Sequence, residues 1–138
     1  MSEPIWIDDT LVFAIHDRQL AEHGGAEGVR DESLLHSALG RPLNQLLYTG
    51  AGIVDLAATY TAGIVQNHPF IDGNKRTGFV VGVLFLELNG DRFTASEPDA
   101  AQAVLELAAG TIDENGFRDF LRANVERVAE PPSIRVDE

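Results

Sequence analysis

Two long apolar stretches, Ile53 to Asn67 and Asn74 to Asn89, lie almost end to end in this chain. In the first, Ile53, Leu56, Ala57, Tyr60, Ile64 and Val65 fall on nearly every face of a helix, the pattern of a central element covered on all sides. The second is as apolar, and its valines leave a buried strand open. Its length and the Asn89-Gly90 stop favour helix. A chain with two such elements is built around them, and the polar residues between them sit where a loop enters a buried element.

The flanking segments also read as helices. Asp8 or Asp9 caps a first one carrying Leu11, Val12, Ile15 and Leu20, and Gly24-Gly25 ends it. Ala26 to Arg30 is a glycine-bounded connector, either a loop or a small β-hairpin. Asp31 caps Glu32 to Leu39, and Gly40-Arg41-Pro42 is expected to stop that helix, with Leu43 to Tyr48 forming a separate short turn. Ser96-Glu97-Pro98-Asp99 opens a helix to about Ala109. Asp113 opens a last one running through Phe117, Phe120, Leu121, Val125 and Val128 until Pro131-Pro132. The expectation is an all-α, single-domain bundle over residues 1–130 with a mobile tail at 131–138.

The 138 residues carry a formal net charge of −12, which argues against direct binding to nucleic acid or an anionic membrane. No cysteine is present, so disulfides, thiolate metal sites and cysteine nucleophiles are excluded. The N-terminus lacks a basic region followed by an apolar one, and the strongest apolar run, Phe79 to Leu86, is too short to span a bilayer. A cytoplasmic protein is the simplest expectation.

Cations are scarce here, so the segment between the two apolar stretches stands out: His68-Pro69-Phe70-Ile71-Asp72-Gly73-Asn74-Lys75-Arg76. Unpaired N–H groups at a helix start attract phosphates, glycine permits close approach, and Lys75 and Arg76 add full charge. Imidazole, with a reference pKa of about 6.5, suits His68 to take a proton from a hydroxyl. A carboxylate such as Asp72 suits Mg²⁺ held together with nucleotide phosphates. The Asn74 side-chain amide is a further candidate donor, and Phe70 is placed to point inward and anchor the loop. His16 and His36 lack acidic or histidine partners at ligand spacing and read as structural; His23 reads as support for a helix C-terminus. Trp6 reads as a packing anchor, and Arg41 as part of a helix stop or a nucleotide contact.

The nonapeptide resembles the signature of the Fic/Doc family, His-x-Phe-x-Asp/Glu-Gly/Ala-Asn-Gly/Lys-Arg. Ile15-His16-Asp17, Gly24-Gly25, Val29-Arg30-Asp31, Leu34-Leu35, Ala38, Phe85-Leu86 and Asn89-Gly90 resemble its Doc ("death on curing") branch. The resemblance implies a Fic-fold helical bundle. Fic enzymes usually carry glycine at the Lys75 position and a second arginine at the Phe79 position, and transfer AMP. Doc enzymes carry lysine at the first, lack the second arginine, and transfer the γ-phosphate. Gly73 departs from the Doc pattern, which commonly has alanine there.

Carried over position by position, the resemblance makes His68, Lys75 and Arg76 catalytic. It places Phe70, Gly73, Asn74, Lys75 and Arg76 around the nucleotide phosphates, and makes Asp72 the Mg²⁺ ligand, with ATP as phosphate donor. The expected substrate is a threonine of EF-Tu, whose phosphorylation stops translation. The connector from Gly25 to Arg30 corresponds to the family's flap. The self-inhibitory pattern Ser/Thr-x-x-x-Glu-Gly/Asn is absent from the sequence, which implies a separate Phd-type antitoxin as partner. A Fic-type adenylyltransferase is the alternative enzyme, and a catalytically silent Fic-fold binding module the alternative from another class.

Overall fold

The computed structural model describes residues 3–128. The tail at 131–138 lies outside them. The elements run α1 (Asp9–His23), α2 (Glu32–Thr49), α3 (Ile53–Asn67), α4 (Asn74–Leu88), β1 (Asp91–Phe93), α5 (Glu97–Ala109), α6 (Glu114–Ala123) and β2 (Val125–Arg127). The architecture is all-α with one small antiparallel pair of strands. Four helix starts follow local chemistry: Asp8, Asp31, Ser96 and Asp113 each accept a hydrogen bond from the backbone N–H three residues on.

The antiparallel α3–α4 pair forms the centre, and small residues allow its close approach. A Cβ on Gly82 would collide with Thr61 Oγ1 and lie 3.1 Å from the Ala57 carbonyl, and one on Gly78 would lie 3.2 Å from the Thr61 carbonyl. Thr61 Oγ1 donates to the Gly78 carbonyl at 2.8 Å, so the hydroxyl is satisfied within the contact. Tyr60, Phe85, Leu56, Ile64 and Leu86 are fully buried around this axis. Trp6 stacks on Phe85 with ring centroids 5.9 Å apart, the anchoring expected of it.

Two local expectations give way to tertiary structure, and one left open is decided. Gly40-Arg41-Pro42 does not stop α2, which continues to Thr49 with Pro42 buried inside it. Proline removes one helical hydrogen bond, but α2 is held against α3 on both sides of it. Ala38 packs so tightly on Gly63 that a Cβ there would lie 3.1 Å from its own. The last helix ends at Ala123, not beyond Val128. Val125–Arg127 instead pairs with Asp91–Phe93, and the Thr94 N–H donates to the Asn124 carbonyl at 2.7 Å. The connector between α1 and α2 is a loop, not a hairpin. Its strand-like partner is the loop between α3 and α4, through an antiparallel bridge of Val29 with Phe70.

Candidate active site

The loop from His68 to Gly73 joins the two central helices. His68 closes α3, donating its N–H to the Ile64 carbonyl at 3.1 Å, with φ 54° and ψ 54°. It is the one non-glycine with positive φ among the described residues, and its imidazole is on an exposed residue. Left-handed backbone at a non-glycine position persists only where its surroundings hold it. Here the connector does so. Arg30 Nε donates to the His68 carbonyl at 2.7 Å and Nη2 to the Asn67 carbonyl at 2.9 Å. The Arg30 and Asp31 N–H groups both reach the Pro69 carbonyl, and the Ile71 N–H reaches the Gly28 carbonyl at 3.1 Å.

Phe70 is fully buried, and His16 on α1 stacks flat on its ring, with centroids 3.8 Å apart and planes 9° apart. Asn74 is also buried. Its Oδ1 accepts from the Phe70 N–H and its Nδ2 donates to the Phe70 carbonyl, both at 2.9 Å. Both side chains are thus engaged within the loop. Phe70 anchors the loop from the core, its side chain fully buried. The Asn74 amide is consumed in closing the loop, leaving only its backbone N–H for an anion. Buried amides of this kind are satisfied by fixed partners, and both of these partners lie on one residue.

The start of α4, unlike the four side-chain-capped starts, has no capping side chain. Its N-cap is Gly73, at φ 81°, without a side-chain acceptor, and its first turn holds no acid. Lys75 and Arg76, both exposed, occupy that turn where the helix dipole disfavours cations. Among the described residues, the N–H groups of Asn74, Lys75 and Arg76 have no hydrogen-bond acceptor; the first bonded one is Thr77, to the Gly73 carbonyl at 3.0 Å. Three open donors and two cations at one helix end form an anion-binding surface on a chain that is otherwise strongly acidic.

Asp72 completes the cluster. Its Oδ2 accepts from the Ala26 N–H at 3.1 Å and its Oδ1 from the Gly73 N–H at 2.8 Å. The Gly73 N–H is thereby taken, so the open donors begin one residue later, at Asn74. The Ala26 bond, then the Gly73 bond, and then the nearby Arg76 and Lys75 charges hold the Asp72 carboxyl below the ordinary carboxylate range. It is exposed, and its ionised form is favoured, as suits an oxygen ligand to a hard cation. Among the described residues no group of three His, Cys, Asp or Glu side chains could hold a metal alone. A lone carboxylate fits Mg²⁺ that takes its other ligands from nucleotide phosphates and water.

Other sequence-singled residues fall elsewhere. Phe79 sits half-buried on α4 with its ring edge-on to Phe93 at 5.6 Å, so the position that holds a second arginine in Fic enzymes is filled by an aromatic contact with β1. Arg41 pairs with Glu114 of α6 at 2.7 Å, neither stopping a helix nor joining the site. His36 does meet carboxylates, Asp9 at 3.3 Å and Glu32 at 3.8 Å, but on an exposed face. Sequence spacing missed Arg30 and the placement of His16 under the motif. Neither stands at a recognisable interval from His68, and only folding brings them there.

Comparison with known proteins identifies the family. The Fic/DOC family model matches residues 6–86, from before α1 through the motif loop and most of α4. The chain is 30% identical over 112 residues to the "Protein kinase doc" of Escherichia phage P1, covering 80% of this chain and 88% of that one. It is 34% identical over 89 residues to the "Toxin Doc" of Mycolicibacterium smegmatis, covering 62% of this chain and 68% of that one. No helix among the described residues is long and apolar enough to cross a membrane. The chain belongs to the Fic/DOC family.

Proposed function

We propose that this chain is a Doc-type toxin kinase that transfers the ATP γ-phosphate to a protein hydroxyl. The observation that carries the reading is Lys75 at an uncapped helix start, with no second arginine at Phe79. A long cation there favours a terminal phosphate over an α-phosphate position. The relatives named kinase and toxin support the same branch.

In this reading the substrate is a threonine of EF-Tu in the cytoplasm, and a Phd-type antitoxin neutralises the enzyme. His68 takes the hydroxyl proton. The hydroxyl oxygen bonds to the γ-phosphorus as the bond to the bridging β–γ oxygen breaks, releasing ADP. The amides of Asn74, Lys75 and Arg76 and the two cationic side chains hold the phosphate oxygens, with little charge reorganisation during transfer. Asp72 would hold Mg²⁺, which supplies charge neutralisation on the phosphates when bound.

The test is to incubate the protein with EF-Tu, Mg²⁺ and ATP labelled at either the γ- or the α-phosphate. Label from γ alone supports the kinase. Label from α supports adenylyl transfer, and no label from either leaves the silent binding module. His68→Ala is expected to abolish labelling.

A further inference from the structure

The motif loop rests on a histidine from another helix. His16 on α1 is only 4% exposed. Its ring lies flat on Phe70, and its Nε2 is 2.8 Å from the backbone carbonyl of Asp72. A carbonyl only accepts, so Nε2 carries the proton and donates. The same ring underlies the start of α4: a Cβ on Gly73 would meet both its Cδ2 and its Nε2 at 3.6 Å.

An apolar ring would serve the stacking contact as well and would cost less to bury. What it would lack is the donor. The Asp72 carbonyl stands just before the helix cap, where the chain turns. His16 satisfies it there without using the first-turn amides of α4. The carboxylate of the same residue is then held by Ala26 on the flap side and Gly73 on the helix side. Asp72 is thus fixed at its carbonyl by α1 and at its carboxylate by the flap.

We infer that His16 is a positioning residue for this site: through the Asp72 carbonyl it sets where the Asp72 carboxylate stands, and so where Mg²⁺ and the phosphates are held. The inference rests on the nucleotide-binding reading above for its consequence in rate, and on geometry alone for its effect on Asp72. Groups that orient a metal-ligating residue commonly change metal affinity or activity by roughly tenfold or more when removed.

The test uses three variants of the whole protein. His16→Phe keeps the stacked ring and loses the donor. His16→Met loses the donor with less bulk, should phenylalanine disturb folding. His16→Gln returns a planar donor without the imidazole. Hydrogen exchange in nucleotide-free protein reads the Ala26 and Gly73 amides, which report directly on the Asp72 carboxylate. Both donor-less variants should exchange roughly tenfold faster there, with core amides such as that of Tyr60 unchanged, and His16→Gln should stay near the parent. In phosphotransfer, the half-saturating Mg²⁺ concentration should rise roughly tenfold for the donor-less variants, with KM for the protein substrate unchanged. Parent-like exchange at Ala26 and Gly73 in both donor-less variants would overturn the inference. So would a His16→Gln variant as fast as they are. Absence of phosphotransfer in the parent would sink the kinase reading instead, and leaves the exchange experiment decisive for His16.

Discussion

Arg30 and His68 are joined by a 2.7 Å hydrogen bond from the guanidinium Nε to the backbone carbonyl. The same guanidinium takes the Asn67 carbonyl at 2.9 Å, so a flap residue caps the end of α3. The residue it holds has a left-handed backbone, which costs on the order of 1–3 kcal/mol and needs external support. His68 therefore owes its placement to a segment nearly forty residues earlier in the chain, the separation of the two being 38.

Removing that support should act on geometry rather than on substrate affinity. Arg30→Ala is expected to lower kcat by roughly tenfold to a hundredfold, with KM for ATP nearly unchanged. Arg30→Lys, with a single point donor, should recover only part of the loss. Steady-state phosphotransfer kinetics decide it, and a KM effect with intact kcat would argue against the positioning role.

Lys75 sits against the helix dipole in the first turn of α4, which holds no acid of its own. Activity and stability should consequently move in opposite directions. Lys75→Ala is expected to cut γ-phosphate transfer by about a hundredfold or more while leaving the melting temperature equal or slightly higher. Labelled-ATP transfer and a thermal melt on the same sample test both signs together.

The Asp72 carboxyl is held below the ordinary carboxylate range, chiefly by the Ala26 N–H, then by Gly73 and the nearby cations. A depressed folded-state pKa contributes stability that is fully present above the unfolded value of about 3.9 and is lost as pH falls through the lower, folded value. Asp72→Asn should therefore melt below the parent at neutral pH, and the gap should close in strong acid. Thermal melts across the acid range check this, and a gap that widens on acidification would contradict the assigned hydrogen bonds.

Two helical glycines should respond oppositely to alanine. A Cβ on Gly82 would collide with Thr61 and crowd the Ala57 carbonyl, whereas one on Gly40 meets nothing within 4 Å. Gly82→Ala is expected to cost about 1–3 kcal/mol. Gly40→Ala, inside α2, is expected to gain about 0.5–1 kcal/mol from helix propensity. Urea unfolding of each gives the two signs directly.

Much of the fold is legible in local chemistry. Asp31, Ser96 and Asp113 cap the helices they were expected to cap, and the all-face apolarity of Ile53 to Asn67 does mark the central element. Local rules misplace the Pro42 region and the end of the last helix. The outcome at Pro42 depends on Ala38 meeting Gly63, and Val125–Arg127 leaves the helix for a partner strand far away in sequence. Neither partner is visible from within its own window.

The candidate site divides the same way. His68, Asp72, Lys75 and Arg76 are contiguous enough for their chemistry to be read from residue type and order, and the structure leaves all four exposed at one loop and helix start. Folding alone decides what each neighbour does. It buries Phe70, spends the Asn74 amide and the Gly73 N–H inside the loop, and brings in Arg30 and His16. The physical reason is that chemistry belongs to side chains, which the sequence states outright. Orientation belongs to hydrogen bonds and stacking between segments dozens of residues apart, which exist only once the helices have packed.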